Sequence, residues 1–119
     1  MNGNSMSKEE VADFCRSLPG VKEDLKWGGV QVFYVDQSKM FALFNLNKNG
    51  LSFKVEKHMF LGYIDRPGIR QSPYLARAYW INMQTPYPMA TQELQDLLQR
   101  SHQLVVSKLA KKRQIGLLL

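Results

Sequence analysis

Residues 30–55, VQVFYVDQSKMFALFNLNKNGLSFKV, read as three strands joined by two tight turns. Val30 to Val35 is β-branched and aromatic, and Asp36-Gln37-Ser38 is a turn. Met40 to Leu46 is the second strand, and Asn47-Lys48-Asn49-Gly50 is a hairpin loop built from residues that tolerate left-handed backbone. From Leu51 to Val55 the pattern alternates, with Leu51, Phe53 and Val55 on one side and Ser52 and Lys54 on the other. Connections this short imply an antiparallel meander. The central strand is apolar on both sides, Met40, Ala42, Phe44 and Leu46 against Phe41 and Leu43, so both of its faces are expected to be covered.

Upstream, Ser7 and Glu10 have the spacing of a capping box, and Met6 and Val11 that of a hydrophobic staple. Val11, Phe14, Cys15 and Leu18 form one apolar helix face, and Pro19-Gly20 ends the helix. Cys15 falls on that stripe and reads as a core residue, not a nucleophile. Downstream, Glu56 to Ile64 reads as a short helix carrying Met59, Phe60 and Tyr63, ended by Pro67-Gly68. Ile69 to Pro73 reads as loop and Ala78 to Met83 as a strand, with Tyr79, Ile81 and Met83 on one face and Trp80 on the other. Tyr74 to Arg77 either extends that strand or forms a separate fifth one.

A last helix is expected from Thr91, as N-cap, to about Arg113. Leu94, Leu97, Leu98, Ser101, Leu104, Val105 and Leu109 share one arc of it, which Lys108 and Lys112 continue. Ser101, near the middle of the arc, is expected to lie buried against the sheet in a structural role. Its hydroxyl is in reach of the Leu97 carbonyl. The fold expected is α+β in two layers, an antiparallel sheet in the order α-β-β-β-α-β-α, with helices 1 and 3 on one sheet face. Residues 7–113 form one domain, with a tail at 1–6 and an apolar tail at 114–119.

The chain's 119 residues, 45% apolar and 22% charged, fit one globular domain. No apolar run approaches the roughly 18 residues needed to cross a bilayer. Met1-Asn2-Gly3-Asn4-Ser5 has neither a basic nor an apolar leader region, so no secretory signal and a cytoplasmic location are expected, with no membrane association. The one cysteine excludes an internal disulfide. The net charge of +6 is unevenly spread: residues 1–96 carry 11 Lys and Arg against 10 Asp and Glu, whereas residues 97–119 carry Arg100, Lys108, Lys111, Lys112 and Arg113 and no acid. Such a cluster suits an anionic partner, and part of it would also complement a helix C-terminus.

Catalytic constellations are lacking in the sequence. Trp27-Gly28-Gly29 has no Lys-Ser/Thr after it and is no phosphate loop. His58 and His102 lie on different elements without a clustered carboxylate or cysteine, which argues against a metal. Ser101 and His102 are helix neighbours and cannot face each other. No enzyme activity, cofactor or metal is expected.

The ordered set Leu18-Pro19-Gly20, Trp27-Gly28, Lys39-Met40-Phe41-Ala42, Phe53-Lys54-Val55, Gly68-Ile69, Pro73-Tyr74-Leu75, Trp80-Ile81 and Ser101-His102-Gln103-Leu104-Val105 with Lys108-Leu109 resembles the MmcQ/YjbR family of small bacterial proteins. The resemblance implies a sheet packed on helices, similar to the type III secretion chaperone fold. It also implies a DNA-binding role through a double-wing motif. It implies Tyr after the serine, where this chain has His102.

Three functional expectations follow. In the first, DNA or another polyanion lies along Arg100, Lys108, Lys111, Lys112 and Arg113, with Lys48 at a wing-like hairpin tip between two asparagines. In the second, the doubly apolar strand and Leu117-Leu118-Leu119 supply a surface for a protein partner, a chaperone client or a second copy. In the third, Lys39, Lys54, Arg77 and Trp80 surround a small-ligand site on a sheet face. Trp27, Trp80, Phe41 and Tyr74 are candidate base-stacking residues, although core packing is the expectation for Trp27 and Trp80.

Overall fold

The computed structural model describes residues 5–45, 50–73, 75 and 78–119. Helix α1 (Lys8–Ser17) begins at the capping box: the Glu10 N–H donates to the Ser7 hydroxyl at 3.1 Å, and the Ser7 N–H donates to the Glu10 carboxylate at 2.8 Å. Two donors of the first turn are thereby satisfied. Met6 and Val11 are both buried, as the staple requires. Cys15 is buried too, and burial pushes its thiol up to about 12, which leaves it protonated and unreactive.

Six strands follow in one sheet: β1 (Lys22–Lys26), β2 (Val30–Val35), β3 (Lys39–Asn45), β4 (Gly50–Lys54), β5 (Ile69–Gln71) and β6 (Trp80–Gln84). Their spatial order is β1-β2-β3-β4-β6-β5, and every pairing is antiparallel. The meander over residues 30–55 is the one its alternation predicts. Two strands are additions. β1, with the sequence KEDLK, has no apolar alternation because it is an edge strand whose charged side chains stay in water; it is held by its ladder to β2. β5 occupies the other edge, where loop was expected, and takes its hydrogen bonds from β6. The strand expected from Ala78 starts at Trp80, because Tyr79 adopts left-handed backbone with φ 62°. Leu46, the hairpin tip at Asn47-Lys48-Asn49, and Tyr74, Ala76 and Arg77 lie outside the described residues.

One core unites three helices with one sheet face. Val11 and Cys15 of α1, Phe60 and Tyr63 of α2 (Lys57–Ile64), and Leu94 and Leu98 of α3 (Thr91–Val106) share it with Phe33, Phe44, Leu51, Phe53, Ile81 and Met83. α3 lies over β3 and β4, with α1 beside it and α2 against β5 and β6. None of α1, α2 and α3 covers the opposite face of the central strand. A β-bulge divides its side chains unequally: Phe33 pairs with Ala42 but Tyr34 pairs with Met40, so Phe41 is an extra residue in β3. Phe41, Ala42 and Phe44 are all buried in the helix-side core, leaving half-buried Met40 and Leu43 for the opposite face.

α3 is shorter than its periodicity predicts. Ala90 rather than Thr91 is the N-cap, without a side-chain cap bond, so Leu94 is the fourth helical residue and its N–H is bonded to the Ala90 carbonyl. The helix ends at Val106. Beyond it the Lys108 and Leu109 N–H groups bond three residues back, to Val105 and Val106, and Lys111–Arg113 is a separate 3₁₀ turn. Leu109 is buried, and the Gln114 side-chain amide donates to its carbonyl at 2.8 Å, which stops the helix from running on to Arg113. Lys108 and Lys112 therefore do not continue the apolar arc.

Ser101 is fully buried at the centre of α3, but its hydroxyl does not turn back to Leu97. It donates to the Phe41 carbonyl at 2.6 Å and accepts from the Lys54 N–H at 3.0 Å. The β3–β4 ladder stops at Ala42 opposite Phe53, and the bulge leaves Phe41 and Lys54 as the next rung. The serine hydroxyl fills that rung. Ser101→Ala strands one buried carbonyl and one N–H, at about 1–3 kcal/mol each. We expect urea denaturation to give a destabilisation of about 2–6 kcal/mol. Ser107→Ala, which removes an exposed hydroxyl bonded to the Leu104 carbonyl, should stay within about 0.5 kcal/mol of wild type.

Candidate nucleic-acid interface and the open sheet face

The basic residues of the C-terminal region are of two kinds. Arg100, on the exposed side of α3, donates through Nε and Nη2 to both Glu56 oxygens, at 3.0 and 3.1 Å. This pairing holds the Glu56 carboxyl below the usual carboxylate range. Arg113 reaches Asp36 Oδ2 at 3.4 Å. Both guanidinium charges are locally neutralised. Lys108, Lys111 and Lys112 are exposed and pair with no carboxylate among the described residues.

Lys54 joins them from the sheet. Its ammonium donates to the Ala78 carbonyl at 3.0 Å, and burial, then the nearby charge of Lys108, pushes its pKa below the usual lysine value. Neither ammonium pairs with a carboxylate among the described residues. Trp80 sits opposite Lys54 in the β4–β6 register and is buried, whereas Lys39 begins β3 opposite Val35, one strand from Lys54 and two from Trp80. None of Lys39, Lys54 and Trp80 lines the cleft on the sheet's other face, and Lys48, Tyr74 and Arg77 lie outside the described residues. Trp27, expected in the core, is 70% exposed. It occupies the β1–β2 turn with φ 50°, and the Lys26 ammonium lies 6.0 Å from its ring centroid. Chain reversal in three residues, Trp27-Gly28-Gly29, leaves this side chain no route back to the sheet interior.

The segment bearing the free lysines is tied to the domain by residues that carry no such signal in the sequence. His102 is fully buried, edge-on to Phe41 at 5.3 Å between centroids. The Pro19 carbonyl 2.8 Å from Nε2 can only accept, so Nε2 carries the proton. Nδ1 then accepts from the Gln103 amide at 2.8 Å. That amide also donates to the Leu117 carbonyl at 3.0 Å, and its oxygen accepts from the Leu119 N–H at 3.3 Å. Leu117 lies over Gly20, where a Cβ would come within 2.1 Å of its Cδ2 and where φ is 70°. The glycine that ends the α1 region is therefore also the seat of the C-terminal tail.

The face opposite α1, α2 and α3 holds a cleft of about 540 Å³, bounded by Trp27, Val30, Met40, Leu43 and Leu75 on its apolar side. On its polar side the register sets Leu43, Ser52, Asn82 and Arg70 in one row across β3, β4, β6 and β5. The Asn82 amide donates to Ser52 Oγ at 2.8 Å, Ser72 Oγ lies 2.9 Å from the same oxygen, and Arg70 Nε donates to Asn82 Oδ1 at 3.0 Å. Gly50 makes room for this: a Cβ there would meet Asn82 Nδ2 at 3.1 Å. The alternation of Ser52 with Leu51 and Phe53 is the sequence signal for a polar row. Its partners come from segments that read as loop or as simple strand.

Among the described residues no group of three or more His, Cys, Asp or Glu is placed to hold a metal ion. No described helix is long and apolar enough to cross a membrane. The architecture defines a class: a small α+β domain whose antiparallel sheet carries helices on one face and a cleft on the other. The YjbR family pattern matches residues 16–104, and the chain belongs to that family. Its fold is similar to that of the Deinococcus radiodurans protein DR2400, which carries the DUF419 domain, with a TM-score of 0.85 at 21% identity over 98% of this chain and 91% of that one. It is also similar to a Pseudomonas syringae protein solved as a structural-genomics target, with a TM-score of 0.70 at 22% identity over 84% of this chain and 99% of that one. At such identities the likeness is one of fold. No functionally curated protein matches the chain.

The buried imidazole makes a pH prediction. His102 is held below the ordinary histidine pKa by burial, against the opposing pull of the Pro19 carbonyl. Protonation at Nδ1 would also set two donors, Nδ1–H and the Gln103 amide, against each other. The unfolded chain binds the proton more readily, so stability is full above about pH 6.5 and falls as pH drops below it. Urea midpoints at pH 7.5 and 5.0 should show this fall, and His102→Gln should flatten it. A wild-type midpoint unchanged between those values would contradict the neutral, buried assignment.

Proposed function

We propose that this protein is a non-enzymatic binder of nucleic-acid phosphate backbones. One observation carries the reading: Lys108, Lys111 and Lys112 stand exposed without a carboxylate partner among the described residues, while Lys108 also bears on the half-buried Lys54. Clustered, unneutralised ammonium groups attract a polyanion by releasing its condensed counterions. Arg100 and Arg113 contribute less, since Glu56 and Asp36 already hold them. No base-reading side chain belongs to the cluster, so contact is to phosphates and tolerant of sequence. The family resemblance to proteins labelled DNA-binding supports the same reading. Against it stands a protein-interaction reading, favoured by the exposed side chains of Ile115, Leu118 and Leu119 on the C-terminal tail.

Salt separates the two, because phosphate binding weakens steeply with ionic strength and apolar docking does not. Fluorescence-anisotropy titration with short DNA and RNA duplexes should give a Kd on the order of 10⁻⁴–10⁻⁶ M at physiological salt. Replacing Lys108, Lys111 and Lys112 together by Gln should weaken binding for every sequence. It should also lower the log–log salt slope by about 0.7–0.9 for each phosphate that is no longer neutralised. Arg100→Gln should change the slope less. Absence of binding by the wild type at low salt refutes the proposal and favours the protein-interaction reading.

A further inference from the structure

We propose that the sheet face opposite α1, α2 and α3 is a binding site for a small organic carboxylate with an apolar body, whose head group is held by Arg70. The site is separate from the C-terminal lysines, none of which lines the cleft. Three observations converge on it. The first is the fixing of Arg70. Its Nε is bonded to Asn82 Oδ1, and Asn82 is bonded in turn to Ser52, which also meets Ser72. Ser52, Ser72 and Asn82 are each at least 95% buried, so the guanidinium is oriented by a buried chain of hydrogen bonds, not left free as on an ordinary surface. With Nε engaged, the Nη groups remain available for the planar, two-point grip that suits a carboxylate.

The second observation is charge. Arg70 pairs with no acid among the described residues, and no Asp or Glu lines the cleft. Among the described residues it is also the one charged residue lining the cleft. An unopposed guanidinium with two free Nη groups has the planar fork that a carboxylate matches. The third is the opposite wall. Val30, Met40 and Leu43 are half-buried and Trp27 is largely exposed, all on the cleft. Apolar surface of this kind, in a cleft of about 540 Å³, has the size and lining of a small-molecule site. The polar and apolar walls share one sheet row, Leu43, Ser52, Asn82 and Arg70 on four successive strands, so the Cα atoms at its ends are about 14 Å apart and the ligand that joins the two walls is an elongated one.

The test uses the full chain, with octanoate and 4-phenylbutyrate as probes and their primary amides as uncharged controls. Binding is followed by NMR at the Trp27 indole N–H and the Met40 and Leu43 methyl groups. We expect saturable shifts at all three positions with the acids. Affinities for the amides should be weaker by about tenfold or more, as follows from removing one charge-assisted hydrogen bond. Arg70→Gln should erase that preference while leaving the circular dichroism spectrum unchanged, because the side chain is exposed. Asn82→Asp keeps the side-chain size but places an anion on Arg70, and should weaken acid binding in the same way. Equal affinity for acid and amide would overturn the carboxylate assignment. So would absence of shifts up to about 10 mM probe, a concentration that reaches even weak sites. Shifts that depend on protein concentration alone would assign the face to a second copy of the chain and would equally overturn it.

Discussion

A bulged β-strand leaves backbone groups that no neighbouring strand can reach, and in this fold the rest of the architecture is arranged around how one such pair is satisfied. The β3–β4 ladder ends at Ala42, next to the extra residue Phe41, and the Ser101 hydroxyl on α3 takes the following rung, bonded to the Phe41 carbonyl and the Lys54 N–H. A backbone rung would hold two strands; this one holds two strands and a helix. It sets where α3 crosses the sheet. A longer side chain would lift the helix off β3, and a side chain without a hydroxyl would leave the pair unbonded.

Successive residues on a helix point about 100° apart, and three consecutive ones on α3 use that rotation to reach three parts of the molecule. Ser101 reaches the sheet, His102 the Pro19 carbonyl after α1, and Gln103 the C-terminal tail at Leu117 and Leu119. This one turn of helix ties the sheet, the α1–β1 connection and the tail together. It also decides how the lysines between them are displayed. Because α3 ends at Val106 and the chain turns back along the domain, Lys111 and Lys112 lie on a 3₁₀ turn, while Arg113 faces Asp36 of the β2–β3 turn.

The bulge has a second effect, on the opposite face. By turning Phe41 into the helix-side core it leaves Met40 and Leu43 as the apolar presence of β3 on the other side. On that face, opposite α1, α2 and α3, Ser52 accepts from the Asn82 amide and Asn82 accepts from Arg70. The molecule therefore has two surfaces of distinct chemistry: a solvated cluster of ammonium groups past α3, and a cleft that pairs an apolar wall with one oriented guanidinium.

Local pattern was enough for much of this. The capping box of Ser7 and Glu10, the alternation of Leu51, Ser52, Phe53 and Lys54, the burial of Ser101 and the apolar stripe of Leu94 and Leu98 all stand as the sequence implies, because each depends on neighbours within a few residues or on a simple inside–outside choice. The concentration of free lysines near the C-terminus was legible for the same reason. What composition and period could not determine are the features that need a partner from far along the chain. β1 and β5 are strands because β2 and β6 supply their hydrogen bonds, not because of their own residues. Trp27 is exposed because a three-residue turn holds it away from the core, and α3 stops at Val106 because Leu109 and Gln114 close its end. Arg100 and Arg113 give up their freedom to acids 44 and 77 positions away, and Arg70 acquires its orientation from Asn82, 12 positions on. Periodicity assigns side chains to faces; only the folded chain sets which distant donor meets which distant acceptor, since that depends on register and crossing angle and not on local sequence.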